Sequence, residues 1–298
     1  MGSVSKVYFT RNITPEAVVK LYETLGKKLD GKVAVKVHSG EDGNQNYLKP
    51  AFWRPMVEHV GGTVVECNTA YEGERNSTEK HDRLLIKHGW HDAFVVDLMD
   101  AEGPDVSLPI AHANHLKSDL VGNNLLNYDS MLVLSHFKGH PMGGYGGALK
   151  QLSIGCASTA GKVNIHSAGK YTKAEEQSVV WTDLPPQDAF LESMAEAASA
   201  VVDHFHGNMV FINVMKNLSV DCDCCAIAED PCMADVGILA STDPITIDRA
   251  CMDLIYSSDD PGRDNFLERV QTRNGEHTID AAAEMGFGVK EYELITVS

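Results

Sequence analysis

The residues with the clearest chemical potential lie in a glycine-rich segment that runs from His136 to Lys150. His136 and His140 lie four residues apart with Lys138 between them, and His166 follows within about thirty residues. Imidazoles at this spacing provide metal ligands or acid–base groups, and the lysine places a cation beside them. So many titratable groups in one short stretch indicate an active site, with His136, Lys138, His140 and Lys150 as the candidate catalytic residues.

The same segment is rich in glycine and contains Gly143, Gly144, Gly146 and Gly147. Glycines allow the backbone to approach a ligand closely. The segment follows an apolar strand predicted over 131–135, and open α/β sheets bind ligands at the carboxyl ends of their strands. A helix predicted to begin near Tyr145 directs N–H groups and a positive dipole end at a carboxylate or phosphate. These four glycines, together with Lys150, are therefore predicted to bind a cofactor or a small anionic substrate.

Two further groups are candidate metal ligands. His38 ends a second apolar strand, predicted over 33–38, so we expect it at the same sheet edge, where it joins His166 as a ligand. Four of the seven cysteines crowd together at Cys222, Cys224, Cys225 and Cys232. Thiolates at this density suit zinc or iron–sulfur ligation, although the spacing matches neither a zinc ribbon nor a ferredoxin. Cys222 and Cys224 are the predicted ligands, while small buried hydrophobes remain the alternative for Cys225 and Cys232.

The elements that position these residues alternate between strand and helix. Thr14 precedes Pro15 and Asp243 precedes Pro244, and each pair predicts a capped helix start. The alternation predicts an α/β fold, a mostly parallel sheet with helices on both faces. We expect an N-terminal lobe over 1–166 with the glycine and histidine segment, and a C-terminal lobe over 187–298 with the cysteine cluster. The polar stretch 167–186 is the candidate boundary, and one continuous domain is the alternative.

Charge and hydropathy exclude several classes of partner. The chain has 42 Asp and Glu against 25 Lys and Arg, a net charge of −17, which repels nucleic acid phosphates. No stretch has the apolar length needed to span a bilayer, and the N-terminal residues lack the apolar core of a signal peptide. We therefore expect a cytoplasmic protein that binds a small anionic molecule, without nucleic acid or membrane partners.

Motifs spread along nearly the whole chain resemble a known family, the uncharacterised iron–sulfur-centre proteins, which carry a domain of unknown function. The resemblance rests on 35–41, 68–73 with Arg75 and His81, 136–150, 155–158, Gly161, Lys162, His166, 222–224 and 235–248. Many members carry a ferredoxin-like insertion after the position that matches His166, whereas this chain has no cysteine over 174–181. The iron–sulfur cluster that the resemblance implies would have to use Cys156 or the cysteines of the 222–232 cluster.

A stretch of about thirty residues is also similar to part of the nickel-pincer lactate racemases. The likeness runs from His136 through the Gly-Gly-Ala-Leu-Lys element to His166. It implies that Lys150 holds or contacts a nickel-pincer-type cofactor, that His166 binds the metal and that His136 acts as acid or base.

The leading hypothesis is a metal- or cofactor-dependent enzyme that moves a proton or hydride on a small carboxylate-bearing molecule, as a racemase or an oxidoreductase does. His136 or His140 transfers protons, His166 and His38 bind metal, and Lys138 or Lys150 holds an anion or a cofactor. One alternative is an iron–sulfur electron-transfer protein or reductase. Another is a non-enzymatic protein that stores or delivers a metal or metallocofactor. The substrate, the metal and the oligomeric state do not follow from the sequence.

Overall fold

The computed structural model describes residues 4–298; residues 1–3 of the predicted N-terminal lobe lie outside the described residues. The strands are β1 Ser5–Thr10, β2 Val33–Lys36, β3 Thr63–Glu66, β4 Val96–Leu98, β5 Val106–Leu108, β6 Asp119–Val121, β7 Ser130–His136, β8 Lys138–His140, β9 Gly144–Gly146, β10 Met209–Met215, β11 Gly237–Ser241 and β12 Tyr292–Thr296. The helices are α1 Pro15–Leu25, α2 Pro50–Val60, α3 Thr78–Lys87, α4 Trp90–Ala93, α5 Ala148–Cys156, α6 Thr159–His166, α7 Gln177–Val180, α8 Gln187–His204, α9 Pro244–Tyr256, α10 Arg263–Thr272 and α11 His277–Met285.

Eight strands form one sheet in the order β12-β1-β11-β10-β7-β2-β3-β4. Every neighbouring pair is parallel except the two that β11 makes, with β1 and with β10. Strands of both predicted lobes therefore share this sheet, since β10 pairs directly with β7. The prediction of an α/β fold with a mostly parallel sheet is confirmed.

The sheet is buried on both faces, as its central strands show. Along β7, Met131 and Val133 belong to one hydrophobic cluster, while Leu132 and Leu134 belong to the other. Successive side chains of a strand point to opposite faces, so a strand covered on both sides reads as a continuous apolar run. The first cluster includes residues of α5, α8 and α9, and the second includes residues of α1 and α2.

Two predicted helix starts are present with the expected side-chain caps. The Oγ1 of Thr14 accepts a hydrogen bond from the N–H of Ala17 at 3.2 Å. The Oδ1 of Asp243 accepts from Ile245 at 2.9 Å and from Thr246 at 3.0 Å. Both residues satisfy N–H groups that have no partner within the helix.

The glycine segment does not pass directly into a helix, and the predicted helix start near Tyr145 is wrong. β8 and β9 form an antiparallel hairpin first, and α5 begins only at Ala148. The hairpin depends on Gly144, whose φ of 78° lies in the left-handed region. A Cβ at this position would also lie 2.8 Å from the Cα of Gly275, so the two backbone segments lie too close together for a side chain.

Within residues 4–298, no helix combines the length and the apolar character that a membrane crossing requires.

Candidate functional site

The carboxyl ends of four adjacent parallel strands, β3, β2, β7 and β10, bring the candidate residues together. His38 follows β2, His140 ends the first strand of the hairpin after β7, and Cys222 lies in the loop after β10. From β2 the chain adds β3 and β4 on one side, whereas β7 and β10 lie on the other. Such a reversal of strand order opens a crevice at the carboxyl edge, where α/β proteins bind ligands.

A cavity of about 390 Å³ occupies this crevice. Its titratable lining residues are Lys36, His38, Glu66, Cys67, Tyr71, Glu72, Arg75, His140, Lys150, Lys162, His166 and Cys224. Apolar side chains, among them Met142, Ile154 and Trp181, cover much of the remaining wall. The predicted metal ligands His38 and His166 and the predicted site residues His140 and Lys150 therefore face one space.

Cys222 lies fully buried against the cavity lining and is surrounded by hydrogen-bond donors. The Nζ of Lys150 lies 3.6 Å from its Sγ, and the backbone N–H of Cys224 lies 3.4 Å away. The imidazole of His140 lies beside the pair of sulfurs, with its Nε2 3.9 Å from the Sγ of Cys224. Burial alone would raise the pKa of Cys222, but the Cys224 thiol and the charge of Lys150 lower it well below its ordinary value. Cys222 is therefore held as a thiolate.

His38 and His140 present N–H groups, not lone pairs, to this thiolate. The Nδ1 of His38 accepts from the N–H of Gly40 at 3.1 Å. The Nδ1 of His140 accepts from Met142 at 3.2 Å and Gly143 at 2.8 Å. A neutral ring whose Nδ1 accepts carries its hydrogen on Nε2. Burial, with the charge of Arg75 for His38 and of Lys150 for His140, lowers the pKa of each to about 4, so both rings are neutral at pH 7.

His166 has the opposite arrangement. Its Nδ1–H donates to the carbonyl of Lys162 at 2.7 Å, which leaves a lone pair on Nε2. That nitrogen makes no hydrogen bond with any part of the chain the structure describes, and the residue lines the cavity. The ring stacks on Phe190 and meets the edge of Trp181, each at 5.1 Å between centroids. Burial lowers the pKa of His166 to about 3, so its lone pair is available for a metal or a proton.

His136 and Lys138 lie behind the cavity and do not line it, which corrects the expectation that they act there. Asp223, fully buried, accepts from the Nδ1 of His136 and from Lys138, both at 3.0 Å. The Nε2 of His136 lies against the carbonyl of Lys216. Although burial raises the pKa of Asp223, the charges of His136 and Lys138 hold it well below its usual range. This triad fixes the loop that carries Cys222.

The predicted cofactor-binding glycines pack against the protein itself, and Gly143, Gly144, Gly146 and Gly147 do not line the cavity. Asp248, on α9, occupies the helix start where an anionic ligand was expected. Its carboxylate accepts from the N–H groups of Ala148 at 2.8 Å and Leu149 at 3.0 Å. A Cβ on Gly147 would lie 2.4 Å from its Oδ1. The glycine is therefore required by an internal carboxylate.

Of the clustered cysteines, Cys222 and Cys224 could hold a metal ion. A ligand atom from each of Cys222, Cys224 and His140 lies within 4.8 Å of the others. Two sulfurs at this distance suit a soft divalent ion. His140 can join them as a ligand only after its Nε2 has lost its hydrogen, because a metal binds the lone pair of that nitrogen.

Cys225 adjoins this group, since its N–H donates to the carbonyl of Cys222 at 2.9 Å, whereas the remaining four cysteines of the described chain lie apart from it. Cys232 donates to the carbonyl of Leu218 at 3.3 Å, and Cys156 packs against Met131. Cys67 lines the cavity, but burial raises its pKa, and that of Cys251, well above the ordinary value, so both are neutral thiols. Cys156 and Cys232 therefore do not complete a four-cysteine ligand set with Cys222 and Cys224.

Several cavity residues were not predicted as site residues. Lys36 pairs with Glu66, and Arg75 pairs with Glu41, all buried at the cavity wall. Arg75 and Lys162 belong to motifs that carry the family resemblance, which is the one signal in the sequence that singles them out. Lys36 also lies in one of these motifs, at 35–41, but within an apolar strand its side chain reads as part of the strand pattern.

The stretch 167–186, predicted as a boundary, folds over the cavity. Val180 packs with Ala70 and Val163, and the Nε1–H of Trp181 donates to the carbonyl of Ala70 at 3.1 Å. Trp181 thereby forms part of the cavity wall beside His166.

Comparison with solved structures finds distant likenesses to eight chains, two of which follow. The lactate racemase apoprotein from Thermoanaerobacterium thermosaccharolyticum is 14% identical, with a TM-score of 0.40 over 70% of this chain and 50% of that one. A protein from Thermotoga maritima is 12% identical, with a TM-score of 0.44 over 91% of this chain and 58% of that one. The chain thus spans little more than half the length of either structure.

No curated protein matches the sequence. A protein family does match, over residues 33–253, which is well over half of the 298 residues and includes every candidate site residue named above. The chain belongs to the family described as Domain of unknown function (DUF362).

Proposed function

We propose that the protein is a metal- or cofactor-dependent enzyme that moves a proton or hydride at a carbon atom of a small carboxylate-bearing molecule, in the manner of a racemase or an oxidoreductase. The observation that carries this proposal is the convergence of the Cys222 thiolate, the Cys224 thiol, the ammonium of Lys150 and the free lone pair of His166 at one cavity. Perturbed titratable groups gathered in a cleft are typical of catalytic sites.

The residues divide into those that hold a metal and those that handle the substrate. Cys222 and Cys224 supply soft ligands, and a bound metal or metal-containing cofactor would supply a Lewis acid or a hydride acceptor. The neutral Nε2 of His166 accepts a proton from a substrate carbon and returns it. Lys150 neutralises the thiolate and adds positive charge near an anionic substrate. His38 and His140 keep Cys222 ionised through their N–H groups.

Elemental analysis of anaerobically purified protein tests the metal. We expect about one equivalent of a thiophilic metal or metallocofactor, lost in Cys222→Ser and in Cys224→Ser. The matched control is Cys232→Ser, which should keep the metal because that thiol donates to a backbone carbonyl outside the ligand group. Equal metal content in all three variants, or none in the wild type, would refute the thiolate site.

The reaction is tested by hydrogen exchange. Small 2-hydroxy and 2-amino acids are incubated with the enzyme in deuterated water, and the signal of the α-hydrogen is followed by NMR. Proton transfer predicts that deuterium replaces this hydrogen, whereas hydride transfer predicts racemisation or oxidation without exchange. His166→Gln should abolish either reaction. A panel with no reaction in the metal-loaded protein would contradict the proposal and favour a role in metal storage or delivery.

Visible absorption distinguishes the iron–sulfur alternative from the proposed metal site. A cluster absorbs broadly in the visible range and contains iron and acid-labile sulfide, whereas a zinc or nickel thiolate site contains no sulfide.

A further inference from the structure

Lys162 is a buried cation that lines the cavity, and no carboxylate of the described chain forms an ion pair with it. Its side chain lines the cavity and is only 6% exposed. Its Nζ donates to the carbonyl of Ala157, and it makes no ion pair within residues 4–298. Its neighbours differ, because Lys36 pairs with Glu66 and Arg75 pairs with Glu41. Burial lowers the pKa of Lys162, because an unpaired charge is unfavourable away from water, and an anion bound beside the amine would stabilise its charged form.

The nearest carboxyl groups do not neutralise this lysine. Asp100 accepts hydrogen bonds from the backbone N–H groups of Asn68 and Thr159 instead. Burial raises the pKa of Asp119 to about 8, which leaves this carboxyl group mostly protonated at neutral pH. On the cavity wall, the buried hydroxyl of Thr69 also has no partner among the residues described, and a hydroxyl can rotate to donate to a ligand oxygen.

Lys162 and His166 lie on the same side of α6. They are four residues apart, and the Nδ1–H of His166 donates to the carbonyl of Lys162. Side chains at this spacing are neighbours, with Cβ atoms about 5–6 Å apart. The Nζ of Lys162 lies at the carbonyl of Ala157, and both side chains line the same cavity, so a carboxylate bound by the lysine shares that space with the lone pair of the histidine.

We propose that Lys162 binds the carboxylate of the substrate and so places the α-carbon beside the Nε2 of His166. This assignment rests on the function proposed above and deepens it. The substrate class is a small monocarboxylate with a hydrogen on its α-carbon. Its apolar end packs against Ile154 and Trp181, which line the same cavity. Lys162 is a binding residue, and His166 is the residue that exchanges the proton.

The test is calorimetric binding of two probes of nearly the same shape, butanoate and the neutral butanamide, to the metal-loaded protein. The variants are Lys162→Met, which removes the charge and keeps the length, and Lys28→Met, which removes an exposed lysine. We expect Lys162→Met to weaken butanoate binding at least tenfold and to leave butanamide binding unchanged. Lys28→Met should change neither. We also expect thermal unfolding of Lys162→Met at or above the wild-type temperature, because an unpaired buried charge has been removed.

The outcomes separate this inference from the function on which it rests. If wild type binds butanoate and Lys162→Met binds it equally well, the lysine is not the carboxylate site, although the proposed function stands. If Lys162→Met loses both probes and unfolds at a lower temperature, the lysine is structural and the inference is wrong. If wild type does not prefer butanoate to butanamide, the proposed carboxylate substrate fails, and the inference fails with it.

Discussion

Replacing Lys150 by methionine should convert Cys222 from a thiolate into a thiol at neutral pH. The Nζ of Lys150 lies 3.6 Å from the sulfur. Opposite unit charges about 4 Å apart attract by about 1 kcal/mol in water and by about 4 kcal/mol at an effective dielectric constant of about 20. Removing the ammonium therefore weakens the acid dissociation of Cys222 by between about 5-fold and about 1,000-fold. The pKa of Cys222 rises, and the metal loses its anionic ligand.

The thiolate is measured by its ultraviolet absorbance during a pH titration of chelator-treated protein, with Cys222→Ser as the blank. We expect the Cys222 transition to move to higher pH in Lys150→Met and to stay in place in Lys28→Met. Metal content should fall in parallel, while the variant remains folded. An unchanged titration would show that His38, His140 and the loop N–H groups are sufficient to ionise Cys222. It would also remove the main support for a cofactor role of Lys150.

Three further predictions concern stability and the cavity wall. Asp248→Ala should lower the free energy of unfolding in urea by about 2–4 kcal/mol, because it leaves the buried N–H groups of Ala148 and Leu149 and the amide of Asn213 without a partner. Asp243→Ala removes a helix cap, which contributes about 1 kcal/mol, and a hydrogen bond from the N–H of Val289 at an exposed position, where water replaces the lost partner. The loss in Asp248→Ala should therefore be the larger, and equal losses would contradict this. Burial lowers the pKa values of His81 and His166 to about 3, below the unfolded value of about 6.5. Each histidine therefore makes the free energy of unfolding fall by about 1.4 kcal/mol per pH unit below pH 6.5. His81→Gln should reduce this slope measurably in thermal unfolding between pH 6.5 and 4.5. Butanoate should change the fluorescence of Trp181 in a variant that retains only this tryptophan, because the indole lines the cavity; no change under saturating ligand would place the ligand elsewhere.

Open α/β sheets bind ligands at the carboxyl ends of their strands, and this rule predicted where the candidate site lies because it needs only local sequence patterns. Apolar runs before His38 and before the glycine segment are visible in the sequence, and parallel strands bring their carboxyl ends to one edge. That rule does not specify side-chain direction. His136 ends its strand as expected, yet its ring turns to Asp223, a residue 87 positions later, and not to the cavity.

The glycine prediction failed for a similar reason. Gly144 and Gly147 are glycines because of Gly275 and Asp248, and these contacts exist only after the chain has folded. The roles of the histidines were equally hidden. Backbone N–H groups at Met142 and Gly143 decide which nitrogen of His140 carries hydrogen, and no side-chain pattern reports this. Lys162 reads in the sequence as an ordinary helical lysine, and only its burial without a partner sets it apart.

The crossover between β2 and β7 has a consequence for how the protein matures. Val33 pairs with Ser130, so almost a hundred residues must be synthesised and folded before the two strands meet. Cys222 comes later still, after β10, and this strand pairs with β7. Sheets built from such distant pairings form slowly, because the entropy of closing long loops is lost before the contacts are gained. His38, His140 and Lys150 are synthesised before Cys222, but they surround it only after β10 has paired with β7. A metal that meets the chain before this pairing finds flexible thiols, whereas the folded protein offers it Cys222, Cys224 and His140 at fixed positions.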